Sequence, residues 1–419
     1  MKSVSIIAIG DELVNGFTID TNSHWLKKEL QKFNLQIKKT VNIPDSKDII
    51  SLQLEETLGG NIDYVFISGG LGPTHDDITK ITLSEYFNLS IEHNDEHLIF
   101  LNKKYSKTFK NKNNLEQFKK NITTQAEILK GFDPIPNEIG TALGMTSIIN
   151  NTRFFVLPGV PVEYKKMISD HIIPKFFKSV SSSLPTLTLK TTGITESHLF
   201  NLIEGIISQS KSTFKFSILP HFTGVNIRIT QIANGVSIDQ IKEKILSKVG
   251  IHCYGYNEQN LSGVVCKLLL KKQIRLSIAE SCTGGLISKK ITDIPGSSDI
   301  FLGSLIAYSN DIKSSILQVP ENVIEKYGAV SKEVAMIMAK NIADHFKTDM
   351  GVSITGISGP GGGSNQKPVG LYYIGYYFKG TTCSKKFLTK INDREINREI
   401  SSETALNLIR LKINEYYEK

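Results

Sequence analysis

Ser281, Cys282 and Thr283 place two hydroxyl groups and one thiol at consecutive positions of the segment IAESCTGG. The apolar residues before them predict a strand, and Gly284 and Gly285 predict a turn into a helix. A side chain at such a junction lies at the rim of a sheet, where backbone N–H groups of the helix start can stabilise an oxyanion or an ionised nucleophile. Ser281 is therefore a candidate nucleophile, although this geometry alone favours N-capping by Ser281 or Thr283.

A serine nucleophile requires a base, and the usual base is histidine. His345 is the only histidine after residue 257, and it lies in the pattern of an amphipathic helix, so we do not expect a Ser-His-Asp triad. Cys282 has no activating partner either, which favours a packed thiol. Lys313 remains as the candidate base, because burial lowers the pKa of a lysine and leaves a neutral amine that accepts a proton.

Tyr308 precedes Lys313 in the segment GSLIAYSNDIK, which predicts a strand followed by a helix. Both residues would then lie at a rim of the sheet. The Tyr308 hydroxyl is a candidate to relay or orient protons between Ser281 and Lys313. Taken singly, the lysine is expected at the surface and the tyrosine in a core.

A glycine-rich loop follows the predicted strand in SITGISGPGGG, beside Thr355 and Gly356. Such a loop brings backbone N–H donors close to a phosphate or carboxylate, although it matches neither a Walker A sequence nor a dinucleotide fingerprint. In NDREINREI, Asp393 is expected to N-cap a helix and Arg394 to lie in its first turn. Arg394 is a candidate phosphate ligand, and an ordinary surface arginine is the alternative.

Two acidic loops follow predicted strands near the N-terminus, in AIGDELVNG and ISGGLGPTHDD. Ligands of open α/β sheets bind beyond the carboxyl ends of the strands, where these loops could share a divalent cation bound to phosphates. Helix capping by the acids is the alternative. The candidate site comprises Asp11, Glu12, Gly69, Gly70, Gly72, Asp76 and Asp77, of which Asp11, Asp76 and Asp77 are the expected metal ligands.

Three α/β domains are expected to position these residues. Residues 1–170 alternate strands and helices as in an open doubly wound sheet, with a serine-rich linker at residues 178–186. Residues 171–256 predict a small βαββαβ domain, which resembles KH modules in element order but lacks their GxxG loop. Residues 257–419 resume the α/β alternation.

The net charge of +8 is compatible with nucleic acid, anionic nucleotides or a lysine-rich proteome. The basic run at residues 101–121 contains no arginine, and we do not expect nucleic acid as a partner. The four cysteines form no CxxC pattern, so we expect reduced thiols. We also expect a cytoplasmic protein without signal peptide or membrane segment, and a homodimer.

The chain resembles the competence/damage-inducible CinA family over essentially its whole length. The C-terminal strings AESCTGG, TDIPGSSDIFLGSLIAYSNDIK, YGAVSKEVA and TGISGPGGG carry the resemblance, together with the two N-terminal acidic loops and LPGVPVE. The N-terminal domain is thereby similar in fold to molybdopterin-binding enzymes. The C-terminal domain is similar to nicotinamide mononucleotide deamidase.

The resemblance implies roles for individual residues. Ser281 would be the nucleophile, Lys313 the base and Tyr308 their partner, without a cofactor. The groups that handle the oxyanion or the substrate phosphate would be Thr283, Gly284, Gly285, Thr355, Gly356 and Arg394.

For the N-terminal domain the resemblance implies hydrolysis of ADP-ribose to AMP and ribose 5-phosphate with Mg²⁺ or Co²⁺, and K⁺ as a further candidate ion. The chain would thus be a bifunctional nucleotide hydrolase of pyridine nucleotide salvage. Binding or adenylylation of molybdopterin by the N-terminal domain, a DNA-linked competence role and a scaffold without catalysis are the alternatives.

Overall fold

The computed structural model describes residues 2–33, 35–105, 122–177 and 185–417. Its internal contacts divide the chain into two compact units, residues 1–184 and 185–419. No helix within the described ranges is both long enough and apolar enough to cross a bilayer. The basic run from residue 106 onward and the serine-rich linker up to residue 184 lie outside the described residues.

A six-stranded sheet forms the centre of the first unit. Its strands are β1 Ser3–Ile9, β2 Gln36–Ile43, β3 Tyr64–Ser68, β6 Asp133–Ile135, β7 Gly144–Ile149 and β8 Thr152–Leu157, and the short pair β4 Ile91–His93 and β5 Glu127–Leu129 lies apart. The spatial order is β2-β1-β3-β8-β7-β6, with the first four strands parallel. The predicted α/β class is confirmed. The antiparallel strands β6 and β7 were not predicted.

Both faces of this sheet are buried, and the apolar side chains of β1 pack on one face or the other. Val4 and Ile6 of β1 belong to one apolar cluster, and Ile7 and Ile9 belong to the other. Successive side chains of a strand point to opposite faces, so helices must cover both sides. These helices include α1 Asp11–Val14, α2 Thr21–Leu30, α3 Lys47–Gly59, α4 Thr79–Phe87, α5 Asp95–Tyr105, α6 Pro161–Met167 and α7 Ile173–Phe176.

The first core extends beyond the predicted domain boundary at residue 170. Ile172 and Phe177 are buried in the same apolar cluster as Phe66, and the Phe177 ring lies 5.0 Å from that of Tyr64. Residues 171–177, which the sequence pattern assigned to the second domain, therefore pack into the first unit. Apolar residues after the last strand gave no signal for this, because they fit a linker helix equally well.

The second unit begins with the small βαββαβ arrangement that the sequence predicted. It comprises β9 Thr186–Thr191, α8 Glu196–Ser210, β10 Phe214–His221, β11 Gly224–Gln231, α9 Ile238–Val249 and β12 Cys253–Tyr256. The antiparallel sheet has the order β10-β11-β9-β12 and packs one face against both helices. Ser237 and Gln240 form a capping box at the start of α9.

A five-stranded sheet follows, with the order β14-β13-β15-β16-β17. Its strands are β13 Leu276–Glu280, β14 Phe301–Ile306, β15 Met350–Gly356, β16 Leu371–Phe378 and β17 Thr381–Leu388. The helices are α10 Leu261–Lys272, α11 Leu286–Thr292, α12 Asn310–Ser315, α13 Glu321–Tyr327, α14 Lys332–Phe346 and α15 Arg394–Tyr417. Of these elements, β17 and α13 were not predicted.

The parallel strands β13, β14 and β15 end at the same edge of this sheet. Glu280, Ile306 and Gly356 are their last residues. The loops that follow carry the serine, the tyrosine and the glycines singled out in the sequence. Strand order therefore brings together three segments that lie far apart in the chain.

Candidate active sites

A cavity of about 280 Å³ opens at this edge of the C-terminal sheet. It receives residues from the ends of β13, β14 and β15 and from the start of α15. Six of the predicted site residues line it, namely Ser281, Tyr308, Lys313, Thr355, Gly356 and Arg394. Thr283, Gly284 and Gly285 do not line it.

Ser281 and Lys313 are in direct contact. Lys313 Nζ lies 3.2 Å from Ser281 Oγ, and the same amine donates to the carbonyl oxygens of Ala307 at 2.8 Å and Tyr308 at 3.2 Å. Only 2% of the Lys313 surface is exposed, and burial lowers the pKa of its amine. The surface alternative for Lys313 is therefore wrong, and burial favours the neutral form of an amine that lies beside a serine hydroxyl.

Tyr308 does not form the predicted relay. The residue is 59% exposed, and its hydroxyl accepts a hydrogen bond from Arg394 Nη2 at 2.7 Å. Tyr308 contributes to Lys313 through its backbone carbonyl instead. The relay expectation is corrected because the Lys313 side chain is long enough to reach Ser281 without an intermediary.

Arg394 links two walls of the cavity. Its Nη1 donates to the Gly359 carbonyl at 3.0 Å, while Nη2 bonds the Tyr308 hydroxyl. Asp393 accepts from the Ile396 N–H at 2.8 Å, as expected of a helix N-cap. The arginine therefore lies in the first helical turn with donors left for a ligand, since a guanidinium carries five N–H groups.

Neither Cys282 nor Thr283 has the environment of a nucleophile. Burial raises the pKa of the Cys282 thiol to about 12, which keeps it protonated at neutral pH. Thr283 is fully buried, its hydroxyl has no hydrogen-bond partner among the described residues, and its carbonyl accepts from Arg398. Among the residues that the structure describes, Ser281 is the only one of the three whose side chain contacts the candidate base Lys313.

The start of helix α11 differs from the sequence-based expectation. Both Gly284 and Gly285 have positive φ, at 57° and 91°, so glycine is required in this turn. Neither Ser281 nor Thr283 caps the helix, so the N-capping alternative is wrong. The buried carboxylate of Glu280 instead accepts from the N–H groups of Gly285, Ile287 and Ser288.

This contact corrects the roles predicted for Thr283, Gly284 and Gly285. Their turn shapes the backbone after Ser281, but the helix N–H groups expected to hold an oxyanion are occupied by Glu280. Sequence reasoning missed Glu280 because a carboxylate at the end of a buried strand gives no periodic signal. Its position directly before a helix start was the available clue.

The glycine-rich loop retains free donors. Among the described residues, no hydrogen-bond partner is found for the N–H groups of Ser358, Gly359, Gly361 and Gly362, all of which line the cavity. Thr355 directs its hydroxyl away from this loop, to the Ala329 carbonyl at 2.9 Å. The loop, more than Thr355, therefore offers the anion-binding groups, and Ser358 is a cavity residue that the sequence pattern did not single out.

A second cavity, of about 620 Å³, lies at the carboxyl ends of the strands in the first unit. Its lining contains Glu12, Gly69, Gly70, Gly72, Asp76 and Asp77 as predicted, whereas Asp11 lies outside it. A side chain at Gly69 would collide with the Ile9 carbonyl, so this close approach requires glycine.

The charged side chains that line this cavity are acidic. Six carboxylates line it and no lysine, arginine or histidine does so among the described residues; the six are Glu12, Asp20, Asp45, Asp76, Asp77 and Glu163. Burial and the neighbouring Asp11, Glu12 and Asp77 raise the pKa of Asp45. An anionic ligand would enter this cavity only together with a cation.

The three predicted metal ligands are not brought together. Asp77 accepts from the Gly72 N–H at 2.7 Å and from the Thr74 N–H at 2.8 Å, so both of its oxygens hold the loop. Asp11 exchanges hydrogen bonds with Asp45. Within the described ranges no group of three or more His, Cys, Asp or Glu side chains is arranged to hold a metal ion.

The donor chemistry nevertheless fits a hard cation. Mg²⁺ commonly takes one or two carboxylates from the protein and the remaining ligands from water and substrate phosphates. Glu12, Asp45 and Asp76 are the lining carboxylates best able to serve, since Asp77 is engaged in its loop. No signal in the sequence marked Asp45, a single acid in the turn after β2, or Glu163, a single acid in helix α6.

Together the folds and cavities define a multidomain α/β protein with one site in each of its two larger domains. Family models match three successive parts of the chain: "Probable molybdopterin binding domain" at residues 5–178, "Damage-inducible protein CinA KH domain" at residues 186–255 and "CinA C-terminal domain" at residues 258–413. The chain belongs to the CinA family.

Two relatives match nearly the whole of this chain. The "CinA-like protein" of Dictyoglomus thermophilum is 37% identical over 412 residues, which cover 97% of this chain and 98% of that protein. The "CinA-like protein" of Thermotoga maritima is 33% identical over 98% of both chains. The solved competence/damage inducible protein CihA from Agrobacterium tumefaciens aligns with 37% of this chain and 97% of its own at 31% identity, with a TM-score of 0.35.

Proposed function

We propose that the C-terminal domain is an amidohydrolase that converts nicotinamide mononucleotide to nicotinate mononucleotide and ammonia. The observation that carries the proposal is the 3.2 Å contact between Lys313 Nζ and Ser281 Oγ inside a cavity. A buried lysine of lowered pKa beside a serine is the arrangement that activates a hydroxyl without histidine.

The neutral amine of Lys313 accepts the proton of Ser281 as Oγ attacks the carboxamide carbon. The C–N bond then breaks, and ammonia leaves with the proton that Lys313 returns. Water, deprotonated by the same amine, hydrolyses the acyl-enzyme to the carboxylate and restores the Ser281 hydroxyl.

The substrate's negative charge would be held opposite Ser281. Arg394 bonds Gly359 and Tyr308 through two of its five guanidinium N–H groups, and the loop N–H groups without a partner among the described residues lie in the same cavity. These groups supply donors both for a phosphate and for the oxyanion that forms in the tetrahedral intermediate.

The test is ammonia release from nicotinamide mononucleotide by the full chain. Ser281→Ala is expected to abolish it, while Ser315→Ala, an exposed serine on α12 that bonds Asp311, serves as the matched control. Retention of activity in folded Ser281→Ala would refute the assignment of the nucleophile.

We propose further that the N-terminal domain hydrolyses ADP-ribose to AMP and ribose 5-phosphate with a divalent cation. The supporting observation is the cavity lined by six carboxylates and by no basic side chain of the described residues. A bound Mg²⁺ or Co²⁺ would neutralise the pyrophosphate and polarise its phosphorus. Glu12, Asp45 and Asp76 would hold that cation, and the glycines of the β3 loop would let the phosphates approach the backbone closely.

AMP release from ADP-ribose, measured with Mg²⁺, Co²⁺ or a chelator, tests this second activity. Glu12→Gln is expected to reduce it, and the exposed Glu56→Gln is the control. Absence of turnover with every metal would favour binding of molybdopterin, which is the alternative that the molybdopterin-binding family match supports.

A further inference from the structure

Glu280 is a fully buried carboxylate immediately before the proposed nucleophile. Its Oε2 accepts from the Gly285 N–H at 2.9 Å and the Ile287 N–H at 3.2 Å. Its Oε1 accepts from Ser288 twice, from the N–H at 2.8 Å and from the hydroxyl at 2.6 Å. One side chain thus ties the end of β13 to the first turn of α11, across the turn that contains Ser281.

The backbone of Glu280 reaches the base as well. Its carbonyl accepts from the Ala307 N–H at 2.8 Å, and the Ala307 carbonyl accepts from Lys313 Nζ at 2.8 Å. Glu280 is therefore connected to the backbone that follows Ser281 and to the backbone that orients Lys313. It does not line the cavity and has no direct route to a bound substrate.

A buried carboxylate is costly unless its charge is compensated. No ion pair to a basic side chain is formed by Glu280 among the described residues, so four hydrogen bonds and the positive end of α11 compensate it. The Glu280 carboxylate accepts hydrogen bonds from N–H groups at the end of this turn and at the start of α11. It thereby holds the turn, which contains two left-handed glycines, in one conformation.

We propose that Glu280 is a positioning residue that holds Ser281 Oγ within reach of Lys313. This inference rests on the proposed serine amidase function. Because the carboxylate occupies the N–H groups of α11, it also leaves oxyanion binding to other donors of the cavity.

The test is Glu280→Gln, which preserves size but presents an NH₂ group to backbone N–H donors. We expect kcat for nicotinamide mononucleotide to fall by about 10- to 100-fold, with KM within about twofold. A displacement of the Ser281 hydroxyl by about 1 Å lowers a reaction rate on this scale. The rate at which a fluorophosphonate labels Ser281, followed by intact mass, should fall in parallel. This second readout requires no natural substrate.

Ser288→Ala removes only the 2.6 Å hydroxyl contact and is expected to lower both rates by about threefold to tenfold. Thr292→Ala, one turn further along α11, removes a hydroxyl that donates to the Ser288 and Lys289 carbonyls of the same helix; it is the matched control and should equal the wild type. If Glu280→Gln does not fold, unchanged labelling of Ser288→Ala overturns the proposal by itself.

Wild-type rates in folded Glu280→Gln, or a loss confined to KM, would also overturn it. If the wild type is labelled at Ser281 and Glu280→Gln is not, but no ammonia is released from nicotinamide mononucleotide, the substrate assignment fails and the positioning role stands. Absence of labelling in the wild type would overturn both.

Discussion

Replacement of Lys313 by methionine isolates the contribution of the proposed base. Methionine has a similar length and fills the buried site, but it lacks the amine that contacts Ser281. A general base contributes about 10²- to 10⁴-fold to the rate, or about 3 to 5 kcal/mol of transition-state stabilisation. We expect kcat/KM for nicotinamide mononucleotide to fall by that factor.

The pH dependence provides a second signature. Burial lowers the pKa of Lys313 below its ordinary value of 10.5, and only the neutral amine accepts the serine proton. Wild-type kcat/KM should therefore rise with pH through an inflection below that value, and the residual activity of Lys313→Met should lack this rise. Stability should rise across the same window, because the unfolded state binds the proton that the folded state has lost.

Lys313→Met also leaves the Ala307 carbonyl without its amine donor, at a cost of about 1 to 3 kcal/mol, offset in part because no amine has to be buried. Thermal unfolding and steady-state ammonia release, measured together, separate stability from catalysis. The control is Lys340→Met, an exposed lysine paired with Asp344. Full activity in Lys313→Met, or in Lys313→Arg, whose guanidinium does not deprotonate, would refute the reasoning.

Three further outcomes are expected. Arg394→Lys should raise KM for nicotinamide mononucleotide by about tenfold with a smaller effect on kcat, because an ammonium cannot bridge Gly359 and Tyr308 and still bind a phosphate; unchanged steady-state KM would contradict this. The pKa of Asp45 is raised, so the stability that this group contributes should be lost as pH increases from about 4 through its folded-state pKa. At pH 7, Asp45→Asn should therefore melt higher than the wild type and show less metal-dependent AMP release; a lower melting temperature would disprove the repulsion. Cys282 should resist iodoacetamide at pH 8 in the folded protein, as followed by mass, and rapid alkylation would show that its thiol is accessible and ionised.

Much of the fold could be predicted because periodicity reports burial directly. The strand β1 is buried throughout and mostly apolar since both faces of its sheet are covered, and the helix α9 carries a capping box in its sequence. The short antiparallel strands β6 and β7 gave no such signal. The boundary after residue 170 was misplaced because the burial of Phe177 depends on distant aromatic rings.

The candidate sites could likewise be predicted only in part. The types Ser281, Lys313 and Arg394 could be selected from the chain, because few residue types perform nucleophilic, basic and phosphate-binding chemistry. Their contacts could not, since a hydrogen bond between residues 32 positions apart depends on which strands are neighbours. Tyr308 illustrates the difference: it lines the cavity, but its hydroxyl contacts Arg394 and only its carbonyl contacts Lys313.

The sequence by itself determined the α/β class, most strands and helices, and the residue types at the ends of the strands, because these follow from local periodicity and turn chemistry. The tertiary structure alone decided which N–H groups are free. Glu280 occupies the donors of α11, and Asp77 is engaged by its own loop while Asp45 enters the acidic cavity. Hydrogen-bond partners and pKa shifts depend on what packs around a side chain, and that packing is set by parts of the chain distant in sequence.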